Sequence, residues 1–107
     1  MNMSNPWRGE VTLVIDGNAH VMRLTLGALA ELETELGVSS LVALVERFEQ
    51  NQFSSSDVLA LLAAGLRGGG TGVEKAVLLE ASIDGGPLEA ARKAAELLAR
   101  AFIIPDV

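Results

Sequence analysis

The sequence predicts an α+β fold, an N-terminal β-hairpin followed by a small bundle of about five helices. Three observations lead there. Between Val11 and Leu24 apolar residues recur with period two around an Asp16-Gly17 pair; at Thr25 the period changes to three or four; and from there to Phe102 apolar stripes alternate with breaks rich in Ser and Gly. Residues 1–8 read as a flexible lead-in, 9–102 as a single α+β domain and 103–107 as a C-terminal tail.

The hairpin comes first. Val11–Ile15 and Ala19–Leu24 flank Asp16-Gly17, a pair that tolerates the positive φ of a type I′ turn. With those two residues as the loop, Ile15 faces Asn18, Leu13 faces His20 and Val11 faces Met22. Val11, Leu13, Ile15, Met22 and Leu24 then share a core face. Glu10, Thr12, Val14, Ala19, Val21 and Arg23 share the other, on which Val14 and Val21 are more apolar than a solvated face requires. A lone hairpin leaves two open edges, so this face and its edges are predicted to meet a partner. The alternatives are pairing with a second copy, as a homodimer, and cover by Trp7 and the lead-in. Trp7 itself reads either as a ring over a core edge or as a partner anchor.

Thr25 is the expected cap of the first helix, in which Leu26, Leu29, Leu32 and Leu36 form the inner stripe and Gly37 the C-terminal stop. Glu31, Glu33 and Glu35 read as its solvated side. Ser39 or Ser40 can cap a second helix, with Leu41, Leu44, Val45 and Phe48 inside, ending near Asn51. Ser54 and Asp57 imitate a capping box, with Phe53 stapling the start of a third helix over Asp57–Arg67. That helix is apolar nearly all round, which places Leu61 and Leu62 at the centre of the bundle. The glycines of 68–72 read as a flexible connector. They are not a phosphate cradle, because no Lys follows them in register and no strand precedes them. Thr71 with Glu74 then suggests a capping box for a short fourth helix over Val73–Ala81, and Ile83 tucks between elements. Pro87 opens a last helix whose expected stripe is Leu88, Ala91, Ala95, Leu98 and Phe102, with Glu89–Lys93 and Glu96–Arg100 pairs outside. The apolar tail Phe102, Ile103 and Ile104, stopped by Pro105, either folds back onto the hairpin or docks a partner.

Composition limits function more than it assigns it. Eight Lys and Arg against fourteen Asp and Glu give a net charge of −6, which repels nucleic acid and anionic membrane surfaces. There is no cysteine, so thiol chemistry and disulfides are excluded. His20 is the single imidazole and sits mid-strand with no Asp or Ser in register, and the carboxylates are spread along helix faces. No catalytic residue, cofactor or metal is therefore expected, and the chain is read as a non-enzyme. MNMSNPWRGE has neither the basic start nor the apolar core of a signal peptide, and no run is long enough to span a membrane, which predicts a cytoplasmic protein.

Three stretches carry a resemblance. Asn5-Pro6-Trp7-Arg8-Gly9-Glu10-Val11, the joint Leu24-Thr25-Leu26-Gly27-Ala28-Leu29-Ala30-Glu31-Leu32-Glu33 and the run Val58 to Gly70 resemble the small gene transfer agent family proteins of α-proteobacteria. Those are grouped with phage tail assembly chaperones and are also labelled tail tube proteins. The resemblance covers Asn5 to Phe102 and implies a helper in building a phage-like tail, with tail tube or tape-measure protein as partner. The alternative it leaves is a structural tail component, virion-associated; an unrelated interaction module would look alike in composition. It attaches no catalytic residue to any position.

Overall fold

A computed structural model describes residues 9–37 and 41–101. Two strands, β1 (Val11–Ile15) and β2 (Asn18–Met22), precede five helices: α1 (Leu26–Leu36), α2 (Leu41–Glu49), α3 (Ser55–Gly68), α4 (Lys75–Leu78) and α5 (Gly86–Ala101). This is the expected α+β order. Asp16 and Gly17 both take positive φ, 50° and 83°, and the register pairs Val11 with Met22, Leu13 with His20 and Ile15 with Asn18. Period-two alternation buries Val11, Leu13, Ile15, Met22 and Leu24 together.

A two-stranded hairpin is marginal in water, and here the rest of the chain covers part of each edge. The expectation of two open edges is corrected to two partly covered ones. Along β1, the Asp16 N–H donates to the Ser82 carbonyl at 2.8 Å and the Asp84 N–H donates to the Val14 carbonyl at 3.1 Å, making an antiparallel bridge between Ile15 and Ile83. The Ser82 N–H also donates to the Asp16 carboxylate at 3.0 Å. Just beyond β2, the Arg23 N–H donates to the Gly65 carbonyl at 2.9 Å. Gly68 and Gly69 press so closely on the Arg23 and Val21 carbonyls that neither has room for a Cβ. Those glycines are a packing surface, not the loose connector that their number suggested.

Helix α3 is the centre, as its all-round apolarity required. Its buried run Ala60–Leu66 meets α1, α5 and β2. Both signals at its start hold: the Ser54 hydroxyl accepts from the Asp57 N–H and the Asp57 carboxylate accepts from the Ser54 N–H. Asp57, only 3% exposed, also takes two bonds from the Arg47 guanidinium, at 2.8 and 2.9 Å, tying α2 to α3. Beside this clamp Phe53 stacks on Phe48 with centroids 4.5 Å apart.

Three expectations shift. In α1, capped by Thr25 and stopped by Gly37 as foreseen, Leu26 is 84% exposed, because Ala28 and Leu32 centre the buried face and Leu26 lies far round from them. The fourth helix is a single turn. Thr71 does not cap it: its hydroxyl donates to the Leu66 carbonyl and accepts from the Val73 N–H, and Glu74 makes no side-chain cap. In α5 the buried residues are Ala90, Ala94, Leu97 and Leu98, while Leu88 is 77% exposed and Ala95 is exposed too. The inner face is therefore turned by about 100° from the expected stripe, sharing only Leu98 with it. The Glu89–Lys93 and Glu96–Arg100 pairs form, at 3.9 and 2.8 Å.

Candidate functional site

His20 is half-buried in β2 opposite Leu13, and its imidazole forms no hydrogen bond with a described residue. Among the described residues no three His, Asp or Glu side chains gather as a metal site would require. Carboxylates read as solvated face partly do otherwise: Glu31 pairs with Arg67 at 3.0 Å and Glu35 with Lys75 at 2.7 Å, joining α1 to the end of α3 and to α4. Such half-exposed pairs contribute at most about 1 kcal/mol each.

One concave feature is an apolar groove of about 600 Å³ between α3, α4 and the first turns of α5. Helix α3 supplies Val58, Leu59 and Leu62, the end of α4 supplies Leu78 and Leu79, and α5 supplies Pro87, Ala90 and Ala91. Ile83, Phe53 and Ser55 complete the wall, and no charged side chain lines it. The sequence builds it in three steps. Helix α3 is apolar on more sides than its neighbours cover; α4 stops after one turn, turning Leu79 out at 67% exposure; and the Ile83 bridge holds the returning chain across the gap. Small residues on α5, Ala90 and Ala91, leave the opening wide. The groove offers mainly apolar surface, with the Ser55 hydroxyl as the polar side chain in its lining.

The residues singled out from sequence fall elsewhere. Val14 and Val21 are both half-buried on the hairpin face away from the core, diagonal to one another across the two strands, Val14 opposite Ala19 and Val21 opposite Thr12. The Val14 carbonyl is taken by Asp84 and the Val21 carbonyl is covered by Gly69. Trp7, Phe102, Ile103 and Ile104 lie outside the described residues. Sequence reasoning missed Leu59, Leu79, Ile83 and Ala91 as a group. The available signal was Val58-Leu59 beside Leu61-Leu62, one more apolar flank than a helix needs for a single contact.

A family model described as phage tail tube protein, GTA-gp10, matches residues 8–103. No curated protein and no solved structure matches the chain. Among the described residues no helix is long and apolar enough to cross a membrane.

Proposed function

The chain belongs to the phage tail tube protein family, GTA-gp10, and on that premise we propose that it is a non-enzymatic helper in assembling a phage-like tail, binding the tail tube or tape-measure protein before assembly. The observation that carries this is the uncharged groove between α3, α4 and α5, with Leu79 standing exposed at it. An apolar concavity of that size, with no metal-binding cluster among the described residues, suits holding another protein's apolar segment. The partly covered hairpin edges support the same reading. A wall built by strand pairing between subunits needs free edges, and the chain itself engages the turn end of β1 and, at Arg23, the end of β2. The helper works in the cytoplasm, without cofactor.

The family description itself favours a second reading, a structural component retained in the tail. The two differ in what finished particles contain. Particles purified from producing cells are expected to lack this chain, while lysates taken before assembly contain it in complex with tail tube or tape-measure protein. Presence in finished particles at a fixed ratio to the tail tube protein refutes the helper and establishes the structural role.

A further inference from the structure

We propose that the open stretch of the β2 edge, from Asn18 to Val21, takes an extended segment of another protein as an added strand, uncharged and with a β-branched residue opposite Ala19. This deepens the helper reading by naming how a tail segment is held, and its test involves no tail protein, so the two fail separately. Backbone parity identifies the slot. Ile15 with Asn18, Leu13 with His20 and Val11 with Met22 exchange the ladder bonds of the hairpin, so the residues between them turn their N–H and carbonyl groups outward. The Asp16 and Arg23 N–H groups, which donate to Ser82 and Gly65, show the same parity. On β1 the outward groups meet the chain along its length. The Glu10 carbonyl accepts from Arg100, the Val14 carbonyl accepts from Asp84, and Thr12 between them is half-buried with its hydroxyl sealed from solvent. On β2 cover begins only at Val21, whose carbonyl lies under Gly69. The Ala19 N–H, the Ala19 carbonyl and the Val21 N–H are left, a donor, an acceptor and a donor in a row. Asn18 and Ala19 are exposed, and no described residue bonds to these groups.

An unpaired strand edge selects its occupant's backbone, because an extended chain presents acceptor, donor and acceptor at the same spacing. A helix spends those groups on itself. The slot is short. The Asp16-Gly17 turn bounds it at one end and Gly69 at the other, so it holds about four residues and does not propagate into a wall. Side chains set the rest. On the outer face Val14 lies opposite Ala19 and Val21 diagonal to Val14, both half-buried, so a branched side chain on the added strand reaches over the small Ala19 toward them. None of residues 17–21 carries a carboxylate, Lys or Arg, which leaves recognition to the main chain and these contacts. A second copy fits less well. Setting Ala19 opposite the copy's Val21 requires the Val21 carbonyl that Gly69 covers, and setting Ala19 against Ala19 brings no branched side chain. It also brings a further charge of −6.

The test uses the full chain, isotopically labelled for magnetic resonance, and two model peptides of about eight residues alternating Thr and Val. One carries N-methyl groups on its Val residues, which leaves a single pairing edge and stops the peptide stacking on itself. The other is methylated at every residue and has no pairing edge. In the free chain the Ala19 and Val21 amides are expected to exchange hydrogen at least about tenfold faster than those of His20 and Met22. At saturation the one-edged peptide is expected to shift both amides and slow their exchange at least about tenfold, with little loss of affinity as salt rises. The fully methylated peptide leaves them unmoved. Ala19→Pro removes an N–H that no ladder bond uses, so the hairpin stands while binding falls at least about tenfold; Ala19→Thr keeps the N–H and the binding. Melting curves establish that each variant is folded, and if Ala19→Pro is not, the peptide pair decides alone. The proposal is overturned by protected Ala19 and Val21 amides in the free chain, by equal binding of the two peptides, by shifts confined to other surfaces, or by undiminished binding to folded Ala19→Pro. Two other occupants would overturn it as well. Deletion of residues 1–8 raising peptide affinity many-fold points to the lead-in, and a concentration-dependent dimer abolished by Ala19→Pro points to a second copy.

Discussion

Replacing Gly68 by Ala sets two effects of opposite sign against each other. Gly68 closes α3 with ordinary helical φ, so propensity alone predicts that Ala stabilises, by about 0.5–1 kcal/mol. The structure predicts the reverse. An added methyl falls far inside 3.0 Å of the Arg23 carbonyl oxygen, a backbone atom that cannot rotate away, with the Thr25 nitrogen 3.4 Å off. Helix and strand must separate, at a cost of about 1–3 kcal/mol for overpacking. Separation also strains the 2.9 Å bond from the Arg23 N–H to the Gly65 carbonyl, worth about 0.5–1.5 kcal/mol. Steric cost wins, and the net expectation is a loss of about 1–3 kcal/mol. Urea titration followed by far-ultraviolet circular dichroism measures it, with Gly27→Ala as control. Gly27 lies in the first turn of α1, where a Cβ meets nothing closer than the Thr25 hydroxyl at 3.9 Å, so there the propensity gain should appear. If Gly68→Ala proves as stable as the parent, the close approach of α3 to β2 is wrong.

Three more expectations follow from the same geometry. Leu61→Ala, at a fully buried site in α3, should cost about 2–5 kcal/mol in the same titration, and a loss below half a kcal/mol, roughly, contradicts the central placement of α3. Asp57→Ala removes one capping-box partner and both Arg47 bonds, which should cost about 2–4 kcal/mol; Asp57→Asn, which keeps an acceptor for the Ser54 N–H, should cost less, and equal losses would show that the cap contributes nothing beyond the Arg47 clamp. Duplex DNA should run unretarded in a mobility-shift gel at near-physiological salt and micromolar protein, on the ground of the −6 charge, and a shifted band refutes this.

What the sequence made legible is what neighbours in the chain decide. The Asp16-Gly17 turn determines the register by local backbone preference, and everything on the core face follows by alternation. The Ser54–Asp57 box and the Thr25 cap are likewise local, and both form. What it hid is non-local. The Ile15–Ile83 bridge joins segments with no mutual signature, and nothing in a run of glycines distinguishes a hinge from a surface shaved to admit a strand. Helix α5 was misread for a different reason. Between Pro87 and Arg100 its apolar residues other than Leu are alanines on several sides, and small residues constrain the buried face weakly, so Leu97 set the face where Leu88 had seemed to. Thr71 failed as a cap because a competing carbonyl, that of Leu66, lay within reach of its hydroxyl. The groove inherited these misreadings, since its walls come from α4, Ile83 and α5.

The bridge at Ile83 also imposes an order of events on a growing chain. Asp16 and Ser82, which bond to each other beside it, are 66 positions apart. A hairpin closes within about 1–10 μs once its residues are free, but this one acquires the cover on β1 only when the segment after α4 has been made. At about 5–20 residues per second, ribosomal synthesis leaves that interval at roughly 3–13 s. Throughout it the β1 edge is a bare ladder able to recruit a strand from any neighbouring nascent chain. The asymmetry of the finished molecule, earliest element sealed by one of the latest, makes the nascent chain more adhesive than the protein it becomes. Crowded polysomes are where that difference is felt most.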